Sequence, residues 1–254
     1  MLKISEALLD VGIKPNDMIV IHANAGVAAQ LIGVDVDRRL NKLINDLVNF
    51  LGNNGTLVIP TFSYTFTKNE NFDLKNTPSD IGTFSEACRL LPIFQRSSNP
   101  NFSFVSVGKY AEEIVKSRID DCFGHGTAFD ILYQYNAKLV CLGCDFSRIT
   151  FAHYVEQAIG VSYRYLKSFS GNVIDGTNEK SIENTYYVRD LSIESQGELS
   201  LLKEHLIRRK LLGVGKYGRY PLLSISTHNF YSEAEKLIAK NPYALTQHRF
   251  NTIV

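Results

Sequence analysis

The chain has 254 residues, 44% hydrophobic and 21% charged, with a formal net charge of +1. That suits one large domain, or one with a smaller appendage, and excludes a chain whose overall charge would wrap nucleic acid or trap polycations. No run approaches the ~18 apolar residues of a membrane span. The first seventeen residues read as an amphipathic helix without a signal peptide's apolar region. The four cysteines, Cys88, Cys122, Cys141 and Cys144, show no disulfide spacing. The expectation is a cytoplasmic protein with reduced thiols.

In chain order, residues 17–22 (DMIVIH) form a buried strand, followed by a loop over 23–34. A helix runs from Asp35 or Asp37 to Leu51, and Gly52 and Gly55 bracket a turn before a strand over 56–63. Residues 64–80 are polar and aperiodic, long enough to be a functional loop. Helix (83–91), strand (102–107), helix (109–117), helix (128–136) and strand (137–146) follow. A short helix then spans 150–160, with Thr150 as N-cap and Gly160 as the terminating glycine. Beyond about residue 162 the pattern becomes a hairpin, a basic helix over 198–212, turn and strand, and a last helix. The reading is an α/β fold: a central mixed β-sheet with helices on both faces. Residues 1–162 form the core, and 163–254 a smaller C-terminal α+β portion packed on it.

His153 and Glu156 lie one turn apart on one face of the 150–160 helix. His153 falls in the first turn, where the helix dipole disfavours added positive charge. A neutral imidazole is the form a general base needs. The plain alternative is surface decoration of an amphipathic helix. In the segment 21–33, small residues at a strand end (Ala23, Ala25, Gly26, Ala28 and Ala29) would let a ligand approach backbone N–H groups. An ordinary strand-to-helix loop would look the same. Cys141 and Cys144 are spaced like a metal or redox pair but lack a second ligand pair, so buried inert thiols are expected and no metal. Lys203, Arg208, Arg209, Lys210, Lys216 and Arg219 could attract an anion, or simply form a solvated face.

Taken in order, these segments resemble the aminoglycoside 3-N-acetyltransferase family over roughly residues 5–170. The likeness rests on His22-Ala23-Asn24-Ala25 with Gly33, Gly55-Thr56-Leu57, and Pro60-Thr61-Phe62-Ser63. It continues through Thr77-Pro78-Ser79, Gly82, Glu86, Arg89, Pro92, Arg96-Ser97, Pro100, Ser103 and Gly108. Thr150, His153 and Glu156 follow, then Tyr163-Arg164 and Lys167. The chain departs from the family pattern at Ala23-Asn24, where a hydroxyl pair is usual. It departs again at Asn99, usually His, and at Thr127-Ala128, usually Ser-Pro.

The resemblance implies an acyl-CoA co-substrate and N-acylation of an amino sugar, a small-molecule partner, with no nucleic acid and no membrane. A homodimer is left open. Catalysis falls to His153 and Glu156. The donor falls to His22, Ala23, Asn24, Ala25, Gly26, Thr61, Arg96 and Ser103, and the acceptor to Ser63, Tyr163, Arg164 and Arg208. The balanced charge and the basic stretch at 203–219 tilt the acceptor toward a nucleotide-linked amino sugar of surface-polysaccharide synthesis. An aminoglycoside antibiotic is the alternative acceptor, and a non-catalytic nucleotide-binding protein the alternative of another class.

Overall fold

The computed structural model describes residues 3–250. Its helices are α1 (Ile4–Asp10), α2 (Arg39–Leu51), α3 (Thr83–Leu90), α4 (Ala111–Val115), α5 (Ala128–Gln134), α6 (Phe151–Ile159), α7 (Ser200–Arg208) and α8 (Thr227–Lys240). The strands are β1 (Met18–Ala23), β2 (Thr56–Pro60), β3 (Phe72–Asp73), β4 (Gln95–Arg96), β5 (Phe104–Gly108), β6 (Lys138–Leu142), β7 (Arg164–Asp175), β8 (Asn178–Arg189), β9 (Gly213–Tyr217) and β10 (Tyr220–Ser226). Of the N-terminal helix expected from the sequence, Met1 and Leu2 lie outside the described residues.

Seven strands form the central sheet, in the order β4-β5-β2-β1-β6-β10-β9. β1 runs parallel to both β2 and β6, while the outer pairings are antiparallel. Strand alternation sends successive side chains to opposite faces. Val20, Val58, Leu139, Cys141, Leu223 and Ile225 pack on one side with residues of α5, α6 and α8. Ile19, Ile21, Leu57, Ile59, Val140 and Leu142 pack on the other with residues of α1, α2 and α3. Burial on both faces explains why 18–21, 57–59 and 139–142 read as continuous apolar runs. This is the mixed α/β sheet with helices on both faces that the sequence implied.

The C-terminal residues divide between two sheets. β9 and β10 complete the central one, and the long hairpin β7–β8 forms a second with β3. β3 lies inside the segment read as an aperiodic loop; Phe66 and Phe72 anchor that segment against Val173. The strand expected over 56–63 stops at Pro60, because past that point the amides of Ser63 and Tyr64 both turn to the Asn101 carbonyl. The helix expected from residue 35 or 37 begins as a 3₁₀ turn, Val36–Arg38, and becomes α-helical at Arg39.

The chain leaves β1 toward β2 on one side and later returns as β6 on the other. That strand-order switch opens a crevice at the carboxyl ends of β1, β2 and β6, the usual ligand position in such sheets. A tight approach fixes the far edge: Gly108, at φ +114°, has room for no side chain, since a Cβ there would lie 2.1 Å from the Gly55 carbonyl oxygen. Gly108→Ala should therefore destabilise the fold by about 2 kcal/mol or more. The expected readout is a lower denaturant midpoint with an unchanged m-value.

Candidate active site

α6 buries Phe151, Ala152, Tyr154, Val155 and Glu156 and ends at Gly160 in the left-handed region, as its sequence suggests. Its start differs from expectation. Thr150 has helical backbone angles and makes no side-chain cap; its hydroxyl reaches only the Arg148 carbonyl, at 3.4 Å. His153 Nδ1 lies 2.7 Å from Glu156 Oε2. The other carboxylate oxygen, Oε1, accepts from the Tyr163 hydroxyl at 2.9 Å. Arg164, the first residue of β7, brings Nε to 2.7 Å from Glu156 Oε2 as an ion pair rather than a well-aligned hydrogen bond. Its Nη1 donates to the Tyr187 carbonyl, and its Nη2 lies 3.0 Å from His153 Nδ1.

Nδ1 thus has two close neighbours, and it cannot satisfy both. A carboxylate only accepts and a guanidinium only donates. A bare Nδ1 lone pair 2.7 Å from a carboxylate oxygen would be repulsive, so we place the proton on Nδ1, shared with Glu156. Nε2 then carries the lone pair. Burial holds the His153 imidazole below its ordinary pKa, the Arg164 cation adds to this, and Glu156 opposes it. For Glu156, burial pushes the carboxyl up, but His153, Arg164 and Tyr163 outweigh it and the group stays below the usual carboxylate range. The result at neutral pH is a neutral base backed by an ionised, fully enclosed carboxylate.

His153 is the meeting point of two cavities. The larger, about 970 Å³, lies at the carboxyl ends of the parallel strands. It is lined by His22, Ala23 and Asn24 of β1 and its loop, Pro60 and Phe62 after β2, and Gly143 and Cys144 after β6. Tyr64, Asp80, Asp145, Arg148 and Gln196 also face it. The smaller, about 420 Å³, runs along the β7–β8 hairpin, and Ser147, His153 and Gln196 line both. Burial lowers the His22 pKa to about 4, so its ring is neutral. Both of its nitrogens are buried without a partner.

The other residues expected from the sequence divide by position. Ala25 and Gly26 do not line the larger cavity. The amides of Asn24, Gly26 and Val27 are already bonded to Leu142 O, Asn24 Oδ1 and Asn24 O, which leaves less of a backbone cradle than the small residues suggested. A Cβ on Gly26 would meet the Tyr220 hydroxyl at 3.0 Å, so that glycine serves packing. Thr61, Arg96 and Ser103 form a buried network away from both cavities. Arg96 donates to the Thr61, Thr77 and Leu74 carbonyls and to Ser103 Oγ, pinning the 61–77 segment to the sheet. Ser63 is buried and donates to the Pro100 carbonyl. Tyr163 stands behind Glu156, and Arg164 reaches the smaller cavity. Arg208 is exposed on α7, and none of the six basic residues of 203–219 lines either cavity.

Cysteine behaviour also differs in part from expectation. Cys88 and Cys141 are buried with thiols pushed up, Cys88 to about 12. Cys144 instead faces the larger cavity, and a hydrogen bond from Cys141 lowers its pKa. The sequence reading missed Asp80, Asp145, Arg148, Gln196 and Arg189. Asp145 alone left a local signal, as the Asp-Phe-Ser cap of a 3₁₀ turn. Among the described residues no cluster of three or more His, Cys, Asp or Glu could hold a metal ion, and no helix is long and apolar enough to cross a membrane.

Residues 27–239 match the family model of aminoglycoside 3-N-acetyltransferases. The chain belongs to that family. It is 25% identical over 234 residues to aminoglycoside N(3)-acetyltransferase IV of Salmonella sp., covering 85% of this chain and 86% of the relative. The apoenzyme structure of aminoglycoside acetyltransferase AAC(3)-IVa superposes with a TM-score of 0.77 at 21% identity, over 95% of this chain and 88% of that one. AAC-IIIb, solved as a binary complex with CoASH, superposes at 0.77 with 18% identity, over 93% and 94% of the two chains. Family membership makes the chain an N-acetyltransferase.

Two outcomes follow from the Glu156 cluster. NMR titration of the His153 ring should give a pKa below the ordinary 6.5. It should move up in Arg164→Gln, which removes a repelling cation, and further down in Glu156→Gln, which removes the stabilising anion. Glu156→Gln should also cost about 3–5 kcal/mol in a denaturant titration, because it strands the Arg164 guanidinium, whose side chain is only 3% exposed.

Proposed function

We propose that the protein transfers an acyl group from acyl-CoA directly to the amine of an amino sugar, with His153 as general base and Glu156 as its positioning residue. The observation that carries this reading is His153 at the junction of the two cavities, its Nδ1 tied to a buried carboxylate and its Nε2 left as the available base. One cavity can then deliver a thioester and the other an amine. An ammonium has no lone pair, so the amine reacts after losing its extra proton to solvent; His153 Nε2 then takes a second proton from the nitrogen as it adds to the thioester carbonyl. The C–S bond breaks, and the imidazolium returns its proton to the departing thiolate. Glu156 stabilises that imidazolium, while burial and the Arg164 cation beside Nδ1 keep it from forming before the substrate arrives.

The larger cavity suits the donor. It has the greater room, and the end of β1 opens onto it with His22, Ala23 and Asn24 in its wall. Support for CoA comes from the relative AAC-IIIb, solved with CoASH. Among acceptors, the relatives favour an aminoglycoside: a mutant of AAC(3)-IVa has been solved in complex with apramycin and with a gentamicin. They lend nothing to the nucleotide-linked sugar expected from the sequence, and the basic stretch that prompted it lies outside both cavities. One observation favours an acceptor with a negative group all the same, the charge of the smaller cavity, developed below.

The test is CoASH release from acetyl-CoA over a panel of amino sugars and aminoglycosides, with products identified by mass. His153→Ala should lower kcat by at least ~10²-fold. Cys144→Ser should stay within a few-fold of the parent, since no Cys–His pair activates a nucleophile. An acylated parent protein together with an inactive Cys144→Ser variant would overturn direct transfer. Absence of turnover with every amine of the panel would overturn the amino-sugar acceptor.

A further inference from the structure

The smaller cavity is basic, and its cations have no acid facing them. It is lined by Arg164, Lys167 and Arg189 with Tyr165, Phe169 and Tyr186, and no Asp or Glu is among its lining residues. Arg164 is neutralised from behind by Glu156. Lys167 has its Nζ 5.1 Å from the Phe169 ring centroid and no carboxylate partner among the described residues. Arg189 likewise pairs with no carboxylate among them. The hairpin register sets Arg189 directly opposite Arg164. Glu156 and the Tyr187 carbonyl account for Arg164, whereas no carboxylate among the described residues accounts for Arg189. Alternation also puts Tyr165, Lys167 and Phe169 on one face of β7, so Lys167 sits between two rings.

Resting on the proposed function, we propose that this cavity binds an anionic group, a carboxylate or a phosphate, carried by the acceptor amino sugar. Its volume of about 420 Å³ is less than half that of the neighbouring cavity. It has room for a monosaccharide-sized group against the aromatic walls, but not for the adenosine, phosphates and pantetheine of a CoA. His153 stands at its inner end. An amine presented there has its sugar, and any acid on that sugar, beside Lys167 and Arg189. A polycationic acceptor would bring ammonium groups against Lys167 and Arg189 in the same space, which disfavours it.

The experiment compares glucosamine, glucosamine 6-phosphate, muramic acid and gentamicin as acceptors with acetyl-CoA, in the parent and in Lys167→Gln/Arg189→Gln. Calorimetry with glucosamine 6-phosphate runs in parallel. The parent should prefer the phosphate or carboxylate sugar over glucosamine and gentamicin by about tenfold or more, the worth of one charge-assisted hydrogen bond. The double variant should lose that preference through acceptor KM, with KM for acetyl-CoA and the thermal midpoint unchanged. Lys167→Glu/Arg189→Glu should shift preference toward gentamicin. Equal treatment of charged and neutral sugars by the parent, a preference for gentamicin, or a rise in acetyl-CoA KM in the double variant would overturn the assignment. Binding of glucosamine 6-phosphate that depends on Lys167 and Arg189 without acetylation would uphold the anion site and count against the proposed function. His153-dependent acetylation of gentamicin, insensitive to both substitutions, would do the reverse.

Discussion

One buried carboxylate organises this site. Glu156 is enclosed, yet it stays ionised because His153, Tyr163 and Arg164 all converge on its two oxygens. An unpaired carboxylate in that position would be driven to its neutral form. Here it binds α6 to the start of β7, and so joins the helix on the central sheet to the hairpin of the second sheet. The same contacts decide the chemistry of His153. With the proton placed on Nδ1 and shared with Glu156, Nε2 keeps the lone pair; burial, and then the Arg164 cation beside the ring, hold the imidazole neutral. Structure and reactivity share one set of hydrogen bonds.

The cavities follow from topology. β1 sits between two parallel partners reached in opposite directions, so the segments after β1, β2 and β6 diverge and leave space at the strand ends. The hairpin then closes one side of that space and divides it at His153. A direct-transfer enzyme needs two substrates to meet at one base while each is held by its own walls. The larger cavity offers polar walls in which Asp80 and Asp145 are balanced by Arg148 and by the Lys68 paired with Asp80; the smaller offers cations and aromatic rings. Charge is therefore sorted locally in a chain whose sum is only +1.

That sorting separates the basic residues singled out in the sequence by where the fold puts them. The longest basic run, 203–219, stood out because its charges are close in sequence, yet they cover the outside of α7 and the β9–β10 turn. The cations that do line the smaller cavity, Arg164, Lys167 and Arg189, are spread over both arms of a hairpin; the sequence pattern marked Arg164 and Lys167, while Arg189 left no local signal. Thr61, Arg96 and Ser103, which the resemblance assigned to the donor, show a different limit of residue type. Thr61, Ser103 and Arg96 resemble ligand-binding groups in type, and they satisfy one another and nearby carbonyls in a buried knot. Residue type shows that a polar group needs a partner; it does not show whether the partner is protein or substrate.

By itself the sequence determined what depends on local periodicity and short spacing. The apolar runs of β1, β2 and β6 fixed a two-sided sheet, because strands buried on both faces need apolar side chains at every position. The i,i+3 spacing of His153 and Glu156 fixed their hydrogen bond, because one helical turn brings those side chains together wherever the helix lies. Tertiary structure alone decided that β9 and β10 complete the central sheet, that Tyr163 and Arg164 close on Glu156 from behind, and that Gln196 joins Ser147 at the junction of the cavities. Those contacts link residues far apart in the chain. Their energies come from burial and charge pairing that arise only after the sheet, the hairpin and α6 have packed together.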